Sequence, residues 1–541
     1  MPNAGPTHAT RDHAAAGTAI AAVTGAWAGL AGVAELWSGG RVPAPSPVRL
    51  ALDPAHPARA WAAGLPLPPA AVLLGAQLAG AGLALAAATV VLVSRGPRRV
   101  GPRRGWARRR DLAPLVVRRP QARRLTIGRH GGRLLAAERR ASLVVLGPSQ
   151  SGKTRGLAIP AVLEWDGPVL ATSVKRDLVR DTIDGRRRRG PTWVYDPTGS
   201  SGLEATTWSP LAACSSWQGA RRTAAWLCAG ARANPAAGSG EEDFWYAAAG
   251  KLLAPYLFAA ALGGADMGRV VRWIDEQEER EVAVLLAANA AALGAATASW
   301  QRDDRTRSSV FTTAEMVLEA FADPSVLASA TTSEFCADRL LDGSAATLYV
   351  CAPGHEQERL RPVFATLLHT VVTAAYDAGE LDPPLLVVLD EAANIAPLRD
   401  LDSIASTAAG HGIQLVTVWQ DLAQLRARYG ERASTVLNNH RAKLILSAIS
   451  DPATLDYASR LIGDADIDDA SMTIDPSGGR STTRSHRERR LAPGAELRRI
   501  RPGQGVLVYG HLPPARVTLR APVGGRYGPR HVRRTLRRRD P

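Results

Sequence analysis

Short apolar runs alternate with stretches of helical spacing through most of the chain after residue 140. Runs of four to six residues without polar alternation are typical of strands that are buried on both faces. Helical segments separate many of the runs, as expected for a parallel sheet covered by helices. The pattern predicts an α/β fold with strands at 142–146, 168–171, 192–195, 347–350, 385–389, 413–418, 443–446 and 505–509.

One gap in this alternation is too long for a single crossover helix. Residues 213–324 contain Ala-rich amphipathic stretches, at 243–262 and 269–293, and almost no strand pattern. We therefore predict an all-α insertion at 213–324, which divides the sheet-containing domain into residues 125–212 and 325–520.

Two uncharged stretches precede the sheet pattern. Residues 14–34 hold no charge across 21 positions, and residues 70–93 hold none across 24. At ~1.5 Å per residue the second helix would reach about 36 Å, against a hydrocarbon core of roughly 30 Å. A signal peptide is disfavoured because the first stretch is long and Arg11 is offset by Asp12, and a buried soluble helix is the other alternative. The pattern favours a transmembrane hairpin.

Arginines set the orientation of this hairpin. The loop between the stretches has three Arg, whereas residues 95–110, directly after the second stretch, have eight Arg and no acid. Because positive charge is retained on the cytoplasmic side, both ends are expected in the cytoplasm. The prediction is a multi-pass cell-membrane protein with a cytoplasmic tail (1–13), a hairpin (14–94) with spans at 14–37 and 70–94, an external loop (38–69), and a basic juxtamembrane linker (95–124) that contacts membrane lipid.

The positive charge of the chain is concentrated in a few segments. Its 66 basic and 50 acidic residues give a formal charge of +16, yet residues 95–110, 480–501 and 521–541 carry more than this excess. The rest is slightly acidic, which excludes a uniformly basic, histone-like protein. The Arg-rich C-terminal tail, 521–541, is expected to contact phosphate or lipid or to be solvated, and it shows no base-reading module.

Cysteines and lysines are both rare. The four cysteines show no close pair and no clustered His, so neither a zinc knuckle nor a disulfide framework is indicated, and a reducing compartment fits best. Only four lysines stand against 62 arginines, so each lysine needs a reason. They are Lys153, Lys175, Lys251 and Lys443.

One lysine belongs to a phosphate-binding loop. The apolar run at 142–146 is followed by Gly-Pro-Ser-Gln-Ser-Gly-Lys-Thr and then by a helix-compatible stretch, which is the G-x-x-x-x-G-K-T pattern. The backbone N–H groups of such a loop point at phosphate oxygens, its lysine reaches the β- and γ-phosphates, and its threonine binds Mg²⁺. We predict ATP and Mg²⁺ as cofactors, held by Gly147, Pro148, Ser149, Gln150, Ser151, Gly152, Lys153 and Thr154.

A second, acidic element is predicted at the end of another buried strand. Residues 385–391 read Leu-Leu-Val-Val-Leu-Asp-Glu after Pro384. Because the carboxyl ends of parallel strands meet at one edge of a sheet, Asp390 is expected to hold Mg²⁺ through its water shell and Glu391 to orient the attacking water. The next apolar run ends in Gln420, which could donate a hydrogen bond to the γ-phosphate or water, or be a surface residue.

The order of these motifs resembles the TraG/TraD type IV coupling proteins, which belong to the FtsK/HerA-type P-loop superfamily. The similarity covers about 125–520, and although the P-loop is generic to NTPases, the ordered set is specific. Lys175, in the loop after the second strand, is expected to be a structural or interface residue. The residues that carry the resemblance are 147–165 with Pro160, 169–178 around Lys175, 194–197, 208–211, Phe244-Trp245, Gln420 and Tyr429-Gly430.

The resemblance implies a RecA-like, membrane-anchored ATPase that forms a ring, expected to be a homo-hexamer. In that family the ring recruits a relaxase bound to single-stranded DNA and drives it towards a type IV secretion channel during conjugation. Carried over by motif, Lys153, Glu391 and Gln420 are catalytic, and Thr154 and Asp390 bind the metal. This chain shows no relaxase-like His cluster, so DNA nicking would belong to a partner.

One departure from the family pattern concerns the arginine finger. Where such proteins often place an arginine before the Gln-ended strand, this chain reads Thr-Ala-Ala-Gly-His-Gly at 407–412. Arg432 or Arg441 could supply the finger; otherwise hydrolysis is slow. Two alternatives stay open. An FtsK-like double-stranded DNA translocase would favour a C-terminal winged helix, which 464–490 and 505–520 do not resemble, and a nucleotide-switched membrane scaffold would recruit protein effectors without sustained turnover.

Overall fold

The computed structural model describes residues 8–40, 42–94, 105–232, 240–395, 398–474 and 480–520. The chain divides into two compact units, residues 1–103 and residues 104–541. The predicted tail at 521–541 and parts of the predicted N-terminal tail and juxtamembrane linker lie outside the described residues.

The first unit is a pair of long helices joined by a structured segment. Its elements are α1 (His8–Ser38), α2 (Pro47–Leu52), a short 3₁₀ turn (Pro57–Ala60) and α3 (Ala70–Ser94). The two long helices meet through glycines: a Cβ added to Gly25 would lie 2.4 Å from Gly80 O, and one added to Gly29 would lie 2.4 Å from Ala76 O. Such close backbone contact requires small residues on both helices, as in small-xxx-small pairs of membrane helices.

The segment between the long helices has a small core of its own. Trp27 Nε1 donates to Pro45 O at 2.6 Å, and Trp61 Nε1 donates to Pro43 O at 2.5 Å. Trp61 is buried and packs in one apolar cluster with Leu50. The predicted external loop is too short for an ordinary domain, yet it folds as an ordered cap on the helices because two indole rings anchor its backbone.

The α3 helix is long and apolar enough to cross a membrane. Within the described residues, one window meets that test, Ala70–Ala87, with a mean hydropathy of 1.8, and little of it is buried inside the protein. The α1 helix includes the predicted first span, which stays a prediction.

The second unit is built on a twelve-stranded sheet, counted over the described residues. Seven adjacent strands form a parallel section in the order β10-β4-β9-β8-β5-β7-β6, and β13, β14, β2, β3 and β1 extend it antiparallel from β10. Together with the separate pair β11–β12, which lies outside this sheet, the strands are β1 (Val116–Val117), β2 (Thr126–His130), β3 (Arg133–Ala136), β4 (Leu143–Leu146), β5 (Val169–Ser173), β6 (Thr192–Tyr195), β7 (Thr347–Cys351), β8 (Leu385–Leu389), β9 (Ile413–Trp419), β10 (Ala442–Leu446), β11 (Asp464–Ile474), β12 (Arg480–Arg490), β13 (Gln504–Tyr509) and β14 (Ala515–Thr518).

The predicted parallel-rich α/β fold is confirmed, and every one of the eight apolar runs overlaps a strand of the sheet. The last run is an exception in direction, because β13 pairs antiparallel with β10. The pattern missed β1, β2, β3 and β14, which are short; β2, β3 and β14 also carry exposed polar residues. It also missed the separate β11–β12 hairpin, in which Asp464 pairs with Arg490 and Ile474 with Arg480.

Helices cover the sheet and fill the long gap between β6 and β7. They are α4 (Ile159–Glu164), α5 (Arg176–Arg187), α6 (Trp217–Ala231), α7 (Gly240–Leu262), α8 (Met267–Asp275), α9 (Arg280–Leu286), α10 (Ala290–Trp300), α11 (Asp304–Leu318), α12 (Pro324–Ser329), α13 (Ala337–Leu340), α14 (Gln357–Asp377), α15 (Ala392–Ile395), α16 (Leu401–Thr407), α17 (Leu422–Tyr429), α18 (Ala433–Asn439), α19 (Pro452–Ile462) and α20 (Gly494–Arg498).

Side-chain caps define where many of these helices begin. At seven of them the N-cap side chain accepts a hydrogen bond from a backbone N–H in the first turn of the helix, which satisfies one of its free donors. One is Asp323, which caps α12 and accepts from Ser325 N. The other six N-caps are Ser216 (α6), Asp266 (α8), Asn289 (α10), Asp303 (α11), Asp421 (α17) and Asp451 (α19).

The helices α6 to α13 share one hydrophobic core with the sheet. On the sheet side, Trp193 stacks edge-on against Phe335 with ring centroids 5.5 Å apart, and Tyr195 contacts Trp208 at 5.9 Å. The described residues between β6 and β7 contain helices and no strand, and the insertion domain at 213–324 stays a prediction. The helices between β6 and β7 therefore pack directly on the sheet.

A fully buried arginine, Arg186, connects the sheet to the helix that follows the phosphate-binding loop. Each side-chain nitrogen of Arg186 donates to an acceptor: Nε to Thr347 Oγ1 at 2.7 Å, Nη1 to Trp165 O at 2.5 Å and Nη2 to Gly167 O at 2.8 Å. Burial lowers the pKa of Arg186 to about 10. The guanidinium thus links the end of α4 to the starts of β5 and β7.

Candidate nucleotide-binding site

The phosphate-binding loop connects β4 to a π-helical turn (Thr154–Ala158) that continues into α4. Two conformational constraints explain its glycines. A Cβ on Gly147 would lie 2.8 Å from Ser151 Oγ and 2.9 Å from Leu446 Cβ, so no larger residue fits without a shift. Gly152 has a φ of +92°, a region that side chains rarely adopt, and Gln150 is also left-handed at +66°.

Strand order brings the acidic element next to this loop. The strand β9 lies between β4 and β8, and all three run parallel, so their carboxyl ends form one edge. At that edge Thr154 Oγ1 donates to Asp390 Oδ2 at 2.8 Å. The two residues predicted to bind the metal are therefore in direct contact.

Three polar atoms of the loop and of Asp390 are buried and have no hydrogen-bond partner among the described residues. They are Ser151 Oγ, Lys153 Nζ and Asp390 Oδ1, on side chains exposed by 6% or less. A buried polar group without a partner is costly, and such groups are rare in folded proteins. The unpartnered atoms belong to a hydroxyl, an ammonium group and a carboxylate. Together they fit a ligand that carries both phosphate and a divalent metal.

Burial shifts the pKa of both charged groups at the site. It lowers the pKa of Lys153, while the negative charges of Asp390 and Glu391 act in the opposite direction. It raises the pKa of Asp390 to about 6, opposed by the hydrogen bond from Thr154 and the charge of Lys153. The site is thus a desolvated pocket in which opposite charges lie close but are not hydrogen-bonded to each other.

The other two predicted catalytic residues lie at the same edge. Glu391 follows Asp390 directly and has a φ of +59°, an uncommon conformation for a residue with a side chain. Gln420 follows the last residue of β9 and is partly buried, and its backbone N–H donates to Gln424 Oε1 at 3.0 Å. Strand order therefore brings Lys153, Glu391 and Gln420 to one edge of the sheet.

Lys175 lies close enough to the phosphate-binding loop for its charge to affect Lys153. It precedes α5 at the end of β5, the strand next to β8, and its positive charge contributes to lowering the pKa of Lys153. The structure thus gives this lysine an electrostatic effect on the loop, beyond the structural or interface role expected from the sequence.

Both candidate arginine fingers, Arg432 and Arg441, have polar partners within their own chain. Arg432 Nη1 contacts Arg399 O at 3.0 Å and Asp402 Oδ1 at 3.2 Å. Arg441 Nε lies 2.9 Å from Glu138 Oε2. Each side chain is more than 40% exposed, so either contact could be exchanged for another, and the source of a finger stays a prediction.

One side of the phosphate-binding loop packs against residues near the C-terminal end of the sheet domain. The sequence pattern did not predict this contact. A Cβ on Gly156 would lie 2.7 Å from Leu519 Cβ, and one on Gly152 would lie 3.9 Å from Gly503 Cα. Leu519 N donates to Gly503 O at 2.8 Å, and Arg520 Nη1 donates to Glu164 Oε2 at 2.9 Å. The spacing of Gly152 and Gly156 is the only sequence signal of this close approach.

Comparison with known proteins supplies the family context. Residues 113–519 match the family described as Type IV secretory system Conjugative DNA transfer. The Conjugal transfer protein TraG of Agrobacterium fabrum is 24% identical over 397 residues, which cover 69% of this chain and 59% of that protein. The chain thus spans less than two thirds of the length of this relative.

Solved structures share the fold. The bacterial conjugative coupling protein TrwBdeltaN70, in its unbound monoclinic form, aligns with a TM-score of 0.62 at 19% identity, covering 79% of this chain and 94% of that one. The plasmid coupling protein TrwB in complex with ADP and Mg²⁺ aligns with a TM-score of 0.61 at 18% identity, covering 79% and 95%.

Proposed function

The chain belongs to the Type IV secretory system Conjugative DNA transfer family, and we propose that it is the coupling ATPase of such a system. In this proposal it delivers single-stranded DNA with its bound relaxase to the components of a type IV secretion channel, and ATP hydrolysis drives the transfer. The observation that carries the proposal is the set of open buried groups, Ser151 Oγ, Lys153 Nζ and Asp390 Oδ1, around the contact of Thr154 with Asp390.

ATP and Mg²⁺ suit these groups in charge and geometry. Lys153 would contact the β- and γ-phosphates, and Thr154 and Asp390 would hold the metal, whose charge offsets that of the phosphates. Glu391, beside Asp390, would orient the attacking water, and Gln420 would contact the γ-phosphate or that water. The bound ADP and Mg²⁺ in the TrwB structure support this choice of cofactors.

The membrane anchor is proposed to be a hairpin of α1 and α3. The apolar window Ala70–Ala87 supports one span, and the close contacts of Gly25 and Gly29 with α3 support the second, because glycine pairs are a common interface between membrane helices. The ordered cap between the helices would lie outside, and the sheet-containing unit would lie in the cytoplasm.

A ring, proposed to be a homo-hexamer, would complete the motor. A P-loop site gains its transition-state arginine either from its own chain or from a neighbour. Arg432 and Arg441 stay the candidates for a neighbour's site, since each side chain is more than 40% exposed. Single-stranded DNA in a central channel would contact the ring through its phosphates.

One alternative is supported by a specific observation. Residues 407–412 contain no arginine, and both candidate fingers have partners in their own chain. These facts favour a nucleotide-switched membrane scaffold, which would bind ATP but hydrolyse it negligibly. An FtsK-like double-stranded DNA translocase gains less support, because residues 464–490 contain the β11–β12 hairpin where a winged helix would be needed.

The test is ATP hydrolysis by the full-length protein purified in detergent. Lys153→Ala should lower turnover by about 10² or more, because a principal charge donor to the transition state is lost. Arg305→Ala, at an exposed position on α11, is the matched control and should leave turnover unchanged.

The same assay separates the three functions. Single-stranded DNA should stimulate turnover, and added salt should remove the stimulation because phosphate contacts are screened. Stimulation by double-stranded DNA alone would favour the translocase. Tight ATP binding by the wild-type protein with negligible turnover would favour the scaffold, and turnover unaffected by Lys153→Ala would reject the assignment of the loop.

A further inference from the structure

A cavity of about 710 Å³ lies among α6, α7 and the C-terminal end of α10, away from the phosphate-binding loop. Arg399 also lines it, although this residue comes from the segment after α15 rather than from the insertion. The volume is in the range of small-molecule sites, roughly 300–1,000 Å³. The cavity therefore joins the helical insertion to the segment that follows Asp390 and Glu391.

The charged lining of this cavity is strongly unbalanced. One carboxylate, that of Asp243, faces it, together with five positively charged side chains: Arg221, Arg232, Lys251, Arg302 and Arg399. Cations crowded in a partly desolvated space repel one another and favour a bound anion. Lys251 is one of four lysines in the chain, and the nucleotide site gives it no role.

Arg232 is the deepest of these cations. Its residue is 3% exposed, its Nη2 pairs with Asp243, and its guanidinium lies 5.9 Å from the centroid of the Tyr246 ring. Its Nε is buried without a hydrogen-bond partner among the described residues. Burial and the nearby charge of Arg399 both lower the pKa of Arg232.

The buried Arg186 shows what a structural arginine looks like in this fold. Every one of its nitrogens has an acceptor from the protein, whereas Arg232 Nε has none in the part of the chain that the structure describes. A buried guanidinium with an unfilled donor costs free energy unless another group satisfies it. The incomplete environment of Arg232 is thus unlike that of an arginine that serves packing alone.

We propose that this cavity is a binding site for a small phosphorylated molecule. Arginine guanidinium groups match phosphate oxygens in a planar, bidentate geometry, which favours phosphate over a smaller anion. Arg232 and Arg302 would hold the phosphate, the exposed Lys251 and Arg399 would add charge at the rim, and the Tyr246 ring would contact the organic part. A bound phosphate would also link the insertion to Arg399.

The test is isothermal titration calorimetry with inorganic pyrophosphate on the full-length protein carrying Lys153→Ala. That background removes the main phosphate contact of the P-loop, so saturable binding that remains reports another site. Adding Arg232→Gln or Arg302→Gln should each weaken this binding about 10-fold or more, since each removes a charge-assisted contact. Arg280→Gln, on an exposed position of α9, is the matched control and should have no effect.

Several results would overturn the proposal. One is the absence of saturable pyrophosphate binding in the Lys153→Ala background, and another is unchanged affinity in both arginine variants. If Arg232→Gln lowers the melting temperature strongly, Arg302→Gln decides the question, because Arg302 is only partly buried. Binding of a single-stranded oligonucleotide that depends on these arginines, with no binding of pyrophosphate, would show a nucleic-acid surface instead.

Discussion

Replacing Asp390 by Asn should stabilise the protein in the absence of nucleotide. Burial raises the pKa of this carboxyl from 3.8 to about 6. Each pKa unit corresponds to about 1.4 kcal/mol, so keeping the group ionised at neutral pH costs the folded state about 3 kcal/mol. Asn has nearly the same shape and retains an oxygen that accepts from Thr154 Oγ1, so the substitution removes this cost without opening a cavity.

The gain should depend on pH in a defined direction. The folded carboxyl binds its proton at a higher pH than the unfolded one, so its unfavourable contribution is absent below about pH 4 and complete above about pH 6. The stability advantage of Asp390→Asn over the wild type should therefore be small at about pH 4.5 and full at about pH 8.

Thermal unfolding in detergent, without Mg²⁺ or nucleotide, measures this advantage. About 3 kcal/mol should raise the melting temperature of Asp390→Asn by several degrees at about pH 8. Asp304→Asn, at a side chain that is 100% exposed, is the matched control and should show no gain. With Mg²⁺ and ATP at ~100 times the dissociation constant, the wild type should gain about 2.7 kcal/mol, and the variant should gain much less because the metal loses its carboxylate.

Two results would refute this reasoning. If Asp390→Asn were less stable than the wild type at about pH 8, the carboxylate would be making favourable contacts that outweigh its burial. If the gain were the same at about pH 4.5, it would not come from ionisation.

Three further predictions concern the water, the core and the membrane. Glu391→Gln should retain nucleotide binding, measured by calorimetry, and lose hydrolysis, because Asp390 stays on the metal; loss of binding would mean that the two acids have exchanged roles. Arg186→Met should lower stability by about 3 kcal/mol or more because several buried carbonyls lose their donor, whereas Arg187→Met, an exposed neighbour, should not; equal melting temperatures would contradict this. In intact cells an impermeant thiol reagent should label Ser46→Cys and not Ser94→Cys, and the reverse would overturn the proposed topology.

The sequence predicts the central part of this fold better than its borders. Parallel strands buried on both faces are continuous apolar runs, so the sequence alone indicates β4, β8 and β9, and with them the edge where Thr154 contacts Asp390. The border strands are short and half exposed, as in β2, where Arg129 faces solvent, and alternation over so few residues carries little information.

The features that the sequence could not predict depend on contacts between distant residues. Arg186 looks like one of four consecutive arginines, and only the fold shows that it is the buried one. Leu519 reaches the phosphate-binding loop across more than 350 positions of sequence. Arg232 and Arg399 lie on separate elements, so no local motif marks the cavity they share.

The contact of the C-terminal strand region with the phosphate-binding loop sets an order of events during synthesis. The strands β1 to β3 join the rest of the sheet through β14, by the pairing of Arg129 with Thr518, and Leu519 lies against Gly156 of the P-loop helix. The N-terminal helices therefore leave the ribosome long before the nucleotide site can close. If the proposed anchor is correct, the emerging helices can reach the membrane while the phosphate-binding loop is still incomplete, because Leu519 has to be made before it can contact Gly156.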